Sequence, residues 1–312
     1  DNEAEFALTN YSNSLWHQLS EKLPASAEYE HCGTIWVAAD EEEMREVYRK
    51  RDFYRERGVA SEILDQKSLR AAEPNLAEHL IGGLLVRGDS VVYQPVATEY
   101  LLENSGAVVF LGKKAVEITE SGVRLEDSSF ISAEKIVVAA GAWSTDLVKD
   151  LKMRKKKGHL IITERYPNFV KHQLIELGYL KSAHSSENDS VAFNVQPRAT
   201  EQVLIGSSRQ FDVEDKAIDY NLLRQMTNRA FEYMPGLKEL SAVRVWTGFR
   251  PATPDNLPYI GQHGKLENVF LACGHEGLGI TTSLGTAELL TDELLGRESR
   301  IDRKPYSPKR MD

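Results

Sequence analysis

The sequence predicts a mixed fold of class α/β (α+β), in which α/β segments alternate along the chain with segments of antiparallel sheet. Short apolar strands separated by polar loops, within about residues 25–88 and 150–250, are typical of an antiparallel sheet. Residues 135–144 are small and β-branched and include a glycine, as in a strand buried on both faces. A further apolar strand at residues 268–273 leads through a glycine-rich loop into an amphipathic helix, an arrangement found in α/β sheets.

Length, charge and cysteine content restrict the class of protein. The chain has 312 residues and a formal net charge of −9, so it can form one large or two medium domains. The acidic balance argues against a general nucleic-acid binder, which needs a basic face against phosphates. Cys32 and Cys273 lie far apart, which suits a reducing, cytoplasmic environment and gives no metal-ligand spacing. No apolar run approaches the roughly 20 residues of a membrane span.

Periodicity and charge predict several local elements that the structure can test. Apolar residues recur at helical spacing over residues 6–19, and Asp40 is placed to cap a charged helix. Residues 107–110 are predicted to form a strand. The basic run at residues 154–157 is most simply a solvated loop before a strand. The charged, proline-containing tail at residues 297–312 is predicted to fray.

The most informative stretch is the strand, glycine loop and helix start at residues 268–283. Glycines let a backbone approach a ligand closely, and the free N–H groups of a helix N-terminus favour negative charge. The spacing does not match a dinucleotide-binding fingerprint, because Thr282 stands where the third glycine after Gly277 and Gly279 belongs. The loop is therefore either an ordinary helix start or a loop whose helix N-terminus abuts a cofactor ring.

Charged residues at and before this loop are candidates for substrate chemistry. Arg250 carries a planar cation suited to a carboxylate; the alternative is a surface ion pair with Asp255. His275 and Glu276 suggest an acid/base or metal pair, but no other histidine lies at ligand spacing. The simpler interpretation is that both residues line a pocket.

Four motifs, in this order, resemble the D-amino acid oxidase/glycine oxidase superfamily of FAD-dependent oxidoreductases. They lie at residues 88–95, 136–144, 248–261 and 274–280 and cover nearly the whole chain. The last two together are quite specific. The chain is most similar to the bacterial D-amino acid and hydroxyproline dehydrogenase branch of the superfamily.

The resemblance implies an incomplete FAD/NAD(P)-binding-like α/β domain interleaved with an antiparallel-sheet substrate domain. Residues 89–147 and 251–312 would form the FAD-binding domain, and residues 1–88 and 148–250 the substrate domain. The family pattern begins with a strand, a Gly-x-Gly-x-x-Gly turn and a helix, which this sequence does not contain. The resemblance therefore predicts an N-terminally truncated chain that lacks its first βαβ unit and binds FAD weakly.

The resemblance also implies roles for individual residues. Arg250 would pair with the substrate carboxylate, and His275 is a further catalytic candidate. Trp246, Tyr259, Gln196 and Arg198 are weaker candidates for the pocket wall. The positions that would bind FAD are Val116, near the adenine, together with Ala140, Gly141, Trp143, Gly248, Arg250, Gly274, His275, Gly277, Leu278, Gly279, Ile280 and Thr281.

The implied reaction is oxidation of a small α-amino or imino acid by hydride transfer to flavin N5, as in D-amino acid and hydroxyproline dehydrogenases. The sequence does not decide between oxidase and dehydrogenase, so the electron acceptor stays open. Two other interpretations also stay open: a non-catalytic remnant or partner subunit of a flavoenzyme complex, and a 2-hydroxy acid dehydrogenase of the same superfamily. No nucleic-acid partner is expected, whereas peripheral membrane or hetero-oligomeric association is left open.

Overall fold

The computed structural model of the chain describes residues 2–178, 189–211 and 213–311. Its helices are α1 (Glu3–Ser20), α2 (Glu41–Glu56), α3 (Gln66–Ala72), α4 (Gln94–Glu103), α5 (Ser144–Leu147), α6 (Tyr220–Tyr233) and α7 (Gly279–Leu294). Its strands are β1 (Thr34–Ala38), β2 (Glu62–Asp65), β3 (Gly82–Val86), β4 (Ala115–Thr119), β5 (Gly122–Leu125), β6 (Phe130–Ser132), β7 (Ile136–Val138), β8 (Arg154–Arg165), β9 (Gln173–Glu176), β10 (Ser190–Pro197), β11 (Gln202–Phe211), β12 (Ala242–Ala252), β13 (Tyr259–Gln262) and β14 (Val269–Cys273). Among the described helices, none combines the length and apolar character needed to cross a membrane.

The chain divides into two compact units that alternate along the sequence. The first unit comprises Asp1–Leu23, Thr98–Lys156 and Phe249–Asp312, and the second comprises Pro24–Ala97 and Lys157–Gly248. Residues 1–23 therefore lie in the first unit, although the sequence-based division groups them with the antiparallel segment. The physical reason is that α1 packs along α7, a contact between the two ends of the chain that no local pattern reveals.

The second unit is built on a large mixed sheet with the strand order β12-β8-β11-β10-β9-β1-β3-β2. Most neighbours are antiparallel, whereas β1 and β9 run parallel. Helix α6 packs against β10, and the ring of Tyr233 stacks on that of Phe193 with centroids 4.7 Å apart. The apolar face of α6 and the alternating inward residues of the strands form one buried cluster. Burial of this cluster stabilises the unit.

The first unit contains a three-stranded sheet in the order β13-β14-β7 and a separate meander, β4-β5-β6. Strands β14 and β7 are parallel, with Val269 opposite Ile136. Helices α1 and α7 approach closely at Gly285, where an added Cβ would lie 3.1 Å from side-chain atoms of Leu8 and Ser12. The Ser12 hydroxyl also accepts a hydrogen bond from the Gly285 N–H at 3.1 Å. Glycine allows this close approach, because a side chain at this position would press against Leu8 and Ser12.

The structure confirms the predicted helix at the start of the chain and the Asp40 cap, whose carboxylate accepts a hydrogen bond from the Glu43 N–H at 2.8 Å. The predicted strand at residues 107–110 is wrong, because these residues form no ladder in the described part of the chain. Burial of residues 135–144 on both faces is also wrong: β7 covers only three of them, and Val137 on it is 44% exposed. An apolar run becomes a strand only where a neighbouring strand forms hydrogen bonds with its backbone N–H and C=O groups.

Two further local predictions are corrected by tertiary contacts. The basic run at residues 154–157 begins β8 rather than forming a solvated loop, and Lys157 is buried and ion-paired with Asp215 at 3.1 Å. The tail is packed rather than frayed. Tyr306 is buried and donates a hydrogen bond to the Ala4 carbonyl, and Arg310 bonds to the Asp255 carboxylate at 2.7 Å. Each of these partners is remote in sequence.

Candidate functional site

The candidate site is built around the loop that joins β14 to α7. Gly274 follows the buried strand with φ +84°, and an added Cβ would lie only 2.6 Å from Cγ2 of Thr253. Both the left-handed backbone and the close contact require glycine at this position. An isolated β-bridge pairs His275 with Ala252, so the loop is attached to the end of β12. Helix α7 then begins at Gly279.

The structure brings Arg250 next to this loop. A Cβ added to Gly277 would lie 4.0 Å from Cδ of Arg250, and Arg250 is partly buried. The Asp255 carboxylate, the alternative partner for Arg250, bonds instead to Arg310 through both of its oxygens, at 2.7 and 3.1 Å. The Arg250 side chain therefore lies beside the loop that leads into α7, and a planar guanidinium there would favour binding of an anionic group.

His275 is held inside the loop as a neutral residue. Its Nε2 lies 2.9 Å from the Oγ1 of Thr286 on α7, and burial lowers the pKa of His275 to about 4. The neutral imidazole holds the loop against the helix through this bond. At neutral pH it carries no positive charge and cannot act as a protonated acid. The described residues contain no group of three His, Cys, Asp or Glu side chains that could hold a metal ion.

The low pKa of His275 predicts acid sensitivity. The unfolded chain binds a proton near pH 6.5 and the folded chain only near 4, so stability is present above about pH 6.5 and is lost as pH falls towards 4. We expect wild type to lose about 2 kcal/mol of unfolding free energy between about pH 7.5 and 5 relative to His275→Gln. Urea unfolding of both proteins at the two pH values measures the difference. If wild type and His275→Gln lost the same unfolding free energy between the two pH values, the prediction would be contradicted.

Sequence reasoning missed the contribution of the first helix. Trp16 of α1 donates a hydrogen bond from Nε1 to the Ile280 carbonyl at 3.0 Å, in the first turn of α7. Thr282 donates its hydroxyl hydrogen bond to the Leu278 carbonyl at 2.8 Å. The first bond connects α1 to the first turn of α7, and the second connects that turn to the loop before it. The only signal in the sequence is a tryptophan on the apolar face of an amphipathic helix.

The residues present in the first unit fit part of a flavin nucleotide. Gly141 has φ +55° and, like Gly248 in the second unit, no atom within 4 Å of an added Cβ, so its backbone is open to a ligand. Four of the apolar FAD-binding candidates are exposed in the first unit, where they could contact a planar ring system; they are Val116, Trp143, Leu278 and Ile280. Ala140 lines a cavity of about 360 Å³ beside β7. The remaining FAD-binding candidates, Gly274 to Thr281, form the loop described above.

Two of the four weaker candidates for the pocket wall have structural contacts instead. Arg198 makes a bidentate pair with Glu28, at 2.7 and 2.8 Å, and stacks on Tyr93, which indicates a structural role. Tyr259 is buried and donates its hydroxyl hydrogen bond to the Lys152 carbonyl, so its side chain belongs to the core. Gln196 and Trp246 are partly exposed in the second unit and stay predictions.

Comparison with known proteins identifies the class. Residues 1–293 match the model of the DAO family, described as FAD dependent oxidoreductase, and the chain belongs to this family. The predicted family resemblance, enzyme class and cofactor, FAD, are thereby confirmed.

Individual relatives agree with this family. The chain is 28% identical over 286 residues to glycine oxidase of Geobacillus kaustophilus, covering 88% of this chain and 72% of the relative. It is 26% identical over 332 residues to hydrogen cyanide synthase subunit HcnC of Pseudomonas aeruginosa, covering 99% and 75%. The crystal structure of glycine oxidase from Geobacillus kaustophilus matches with a TM-score of 0.85 and 26% identity, covering 96% of this chain and 82% of that one. The predicted fold class is confirmed.

Proposed function

We propose that the chain oxidises a small α-amino or imino acid, and that Arg250 binds the substrate carboxylate. The observation that carries this proposal is the position of the Arg250 side chain beside Gly277, in the loop just before α7. In this proposal the first unit is the FAD-binding domain and the second unit is the substrate domain. The name of the relative glycine oxidase supports an amino acid substrate.

The chain's residues would contribute binding and orientation. FAD, when bound, would supply the redox chemistry by accepting a hydride at N5. The open backbone of Gly141 and the loop that contains Gly277 and Gly279 would hold it, with Trp143 and Ile280 as apolar contacts. Arg250 would orient the substrate through a bidentate charge-assisted pair, and much of the rate would come from that positioning. The N–H groups and dipole of α7 would stabilise developing negative charge.

A substrate panel tests the proposal. The FAD-loaded protein should oxidise at least one of glycine, D-alanine, D-proline, L-proline and hydroxyproline, measured with oxygen and separately with an artificial dye as electron acceptor. Activity with the dye alone would identify a dehydrogenase. The matched 2-hydroxy acids, glycolate and lactate, are the control, because they retain the carboxylate and replace the amine by a hydroxyl. Faster turnover of the hydroxy acids would contradict the proposal and support the 2-hydroxy acid alternative.

A second candidate function is that of one subunit in a hetero-oligomeric oxidoreductase. The similarity to HcnC, which is named as a subunit, favours it. So does a run of exposed apolar side chains in the first unit, in which Val108 and Leu111 are 79% and 87% exposed. Apolar surface of this kind is typical of interfaces. Activity of the purified chain alone in the substrate panel would make a partner subunit unnecessary.

A further inference from the structure

Strand β12 ends the large sheet of the second unit and leaves a long edge open. Its neighbour is β8, and none of the other described strands pairs with the part of β12 in this unit, residues 242–248. These residues are exposed or partly exposed throughout, and Val243 is 55% exposed. The strand at the other end of the sheet, β2, has only four residues, of which Glu62 and Asp65 are acidic. Short, charged edges resist pairing with another chain, whereas a long edge offers a row of free N–H and C=O groups.

The backbone of β12 alternates between β8 and this open edge. The carbonyl of Ser241, just before the strand, accepts a hydrogen bond from the Glu164 N–H of β8 at 2.8 Å. Successive residues of a strand direct their N–H and C=O groups to opposite sides. Arg244 and Trp246 therefore direct these groups to the open edge, and Val245 directs its groups to β8.

The two faces of β12 differ in what covers them. The Arg244 guanidinium lies 5.9 Å from the centroid of the Trp246 ring, so both side chains lie on one face. On the other face, Val245 packs against the main buried cluster, and the Thr247 hydroxyl donates a hydrogen bond to the Lys216 carbonyl at 2.7 Å. A further strand can pair with the open edge without displacing either of these contacts.

We propose that two copies of this chain form a homodimer in which their β12 strands pair antiparallel along the open edges, with Val245 on the two-fold axis. Such a contact is isologous, because the same residues of each copy meet. Arg244 of each copy then lies opposite Trp246 of the other, and Val243 lies opposite Thr247. A cation beside an aromatic ring and a pair of β-branched residues both stabilise antiparallel strands. The proposal is independent of the reaction that the chain catalyses.

The side chains of β12 select this register over its neighbours. With Arg244 on the axis, the two arginines would lie opposite each other, and like charges in that position destabilise a strand pair. With Trp246 on the axis, Arg244 would lie opposite Gly248, which has no side chain to contact it. A charged residue on a sheet edge ordinarily discourages pairing. Among these three registers, only the one with Val245 on the axis gives Arg244 an aromatic partner.

Cysteine variants of the full chain in a Cys32→Ser background test the register, since the other cysteine, Cys273, is buried. Val245→Cys places the two new residues in a non-hydrogen-bonded pair, with Cα atoms about 4.5 Å apart, which is within reach of a disulfide. We expect mild oxidation to give a cross-linked dimer of this variant. Val243→Cys is the matched control. Its position is exposed, but the two copies of residue 243 would lie about 13 Å apart, so the variant should stay largely monomeric on a non-reducing gel.

Charge variants measure the affinity of the pairing. Light scattering over a range of concentrations should give wild type twice the mass of one chain at high concentration. Trp246→Lys puts a lysine opposite Arg244 and should raise the Kd of the dimer by about tenfold or more. Trp246→Glu puts an opposite charge there and should keep the dimer. Combining Trp246→Lys with Arg244→Glu should restore it.

Several results would overturn the proposal. One is a wild-type chain that stays monomeric at every concentration, and another is equal cross-linking of Val243→Cys and Val245→Cys. Equal weakening by Trp246→Lys and Trp246→Glu would overturn the register. A dimer whose Kd is unchanged in Trp246→Lys would use another surface, such as the exposed run that contains Val108 and Leu111. If circular dichroism shows that the lysine variant does not fold, the Val245→Cys cross-link decides.

Discussion

Arg250→Leu in the FAD-loaded protein should lower kcat/KM for the amino acid substrate by several orders of magnitude. The leucine keeps a similar apolar stem but removes the planar cation that would bind the carboxylate. Loss of one partner from a desolvated, hydrogen-bonded charge pair costs about 2–5 kcal/mol, and each 1.4 kcal/mol corresponds to about tenfold in rate. Steady-state kinetics on the best substrate of the panel measure the effect. A loss below about tenfold would mean that Arg250 does not anchor the carboxylate.

The matched control for this change lies on the same strand. Arg244 of β12 is exposed, with its guanidinium 5.9 Å from the centroid of the Trp246 ring. Arg244→Leu should leave kcat/KM within about threefold of wild type, because an exposed cation contributes little to a defined anion site. Arg250→Lys separates charge from geometry, because lysine keeps the positive charge but cannot form the bidentate pair. The kcat/KM of this variant should lie between those of wild type and Arg250→Leu.

The helices could be predicted from the sequence because the patterns that indicate them are local. The apolar spacing of α1 and the capping carboxylate of Asp40 involve residues within one or two turns of each other. Strand predictions failed where the outcome depends on a distant neighbour. Residues 107–110 and β7 have similar apolar composition, yet β7 has β14 as a partner and residues 107–110 have no ladder in the described chain. Composition alone does not supply the partner.

The candidate site was predictable to the extent that its residues are close in sequence. Arg250 and the glycine loop belong to one stretch of chain, and their juxtaposition follows from a short connection through β13. The supporting groups were not predictable. Trp16 and Lys156 reach the loop only through the tertiary fold, and the left-handed backbone of Glu276 contradicts its local preference. Such departures from local preference are expected at functional sites, where packing holds a residue in a strained position.

Glu176→Ala should destabilise the second unit by about 3 kcal/mol, measured by guanidinium unfolding. Glu176 is buried, and its two oxygens have separate tasks. One accepts a hydrogen bond from the Phe193 N–H at 3.1 Å, and the other from Arg229 Nε at 2.7 Å. Alanine leaves the Phe193 N–H buried without an acceptor, which costs about 1–3 kcal/mol, and leaves Arg229 without its buried counter-ion.

The size of this effect depends on burial, and the same arginine provides the comparison. Arg229 also pairs with Glu232 at 2.7 Å, but the Glu232 side chain is 57% exposed. Glu232→Ala should therefore cost less than about 1 kcal/mol, because solvent screens an exposed pair. Glu176→Gln should lose an intermediate amount of unfolding free energy, because the amide oxygen can still accept a hydrogen bond from the Phe193 N–H. Equal losses of unfolding free energy in Glu176→Ala and Glu232→Ala would contradict this prediction. They would mean that neither the burial of Glu176 nor its hydrogen bond from the Phe193 N–H contributes to stability.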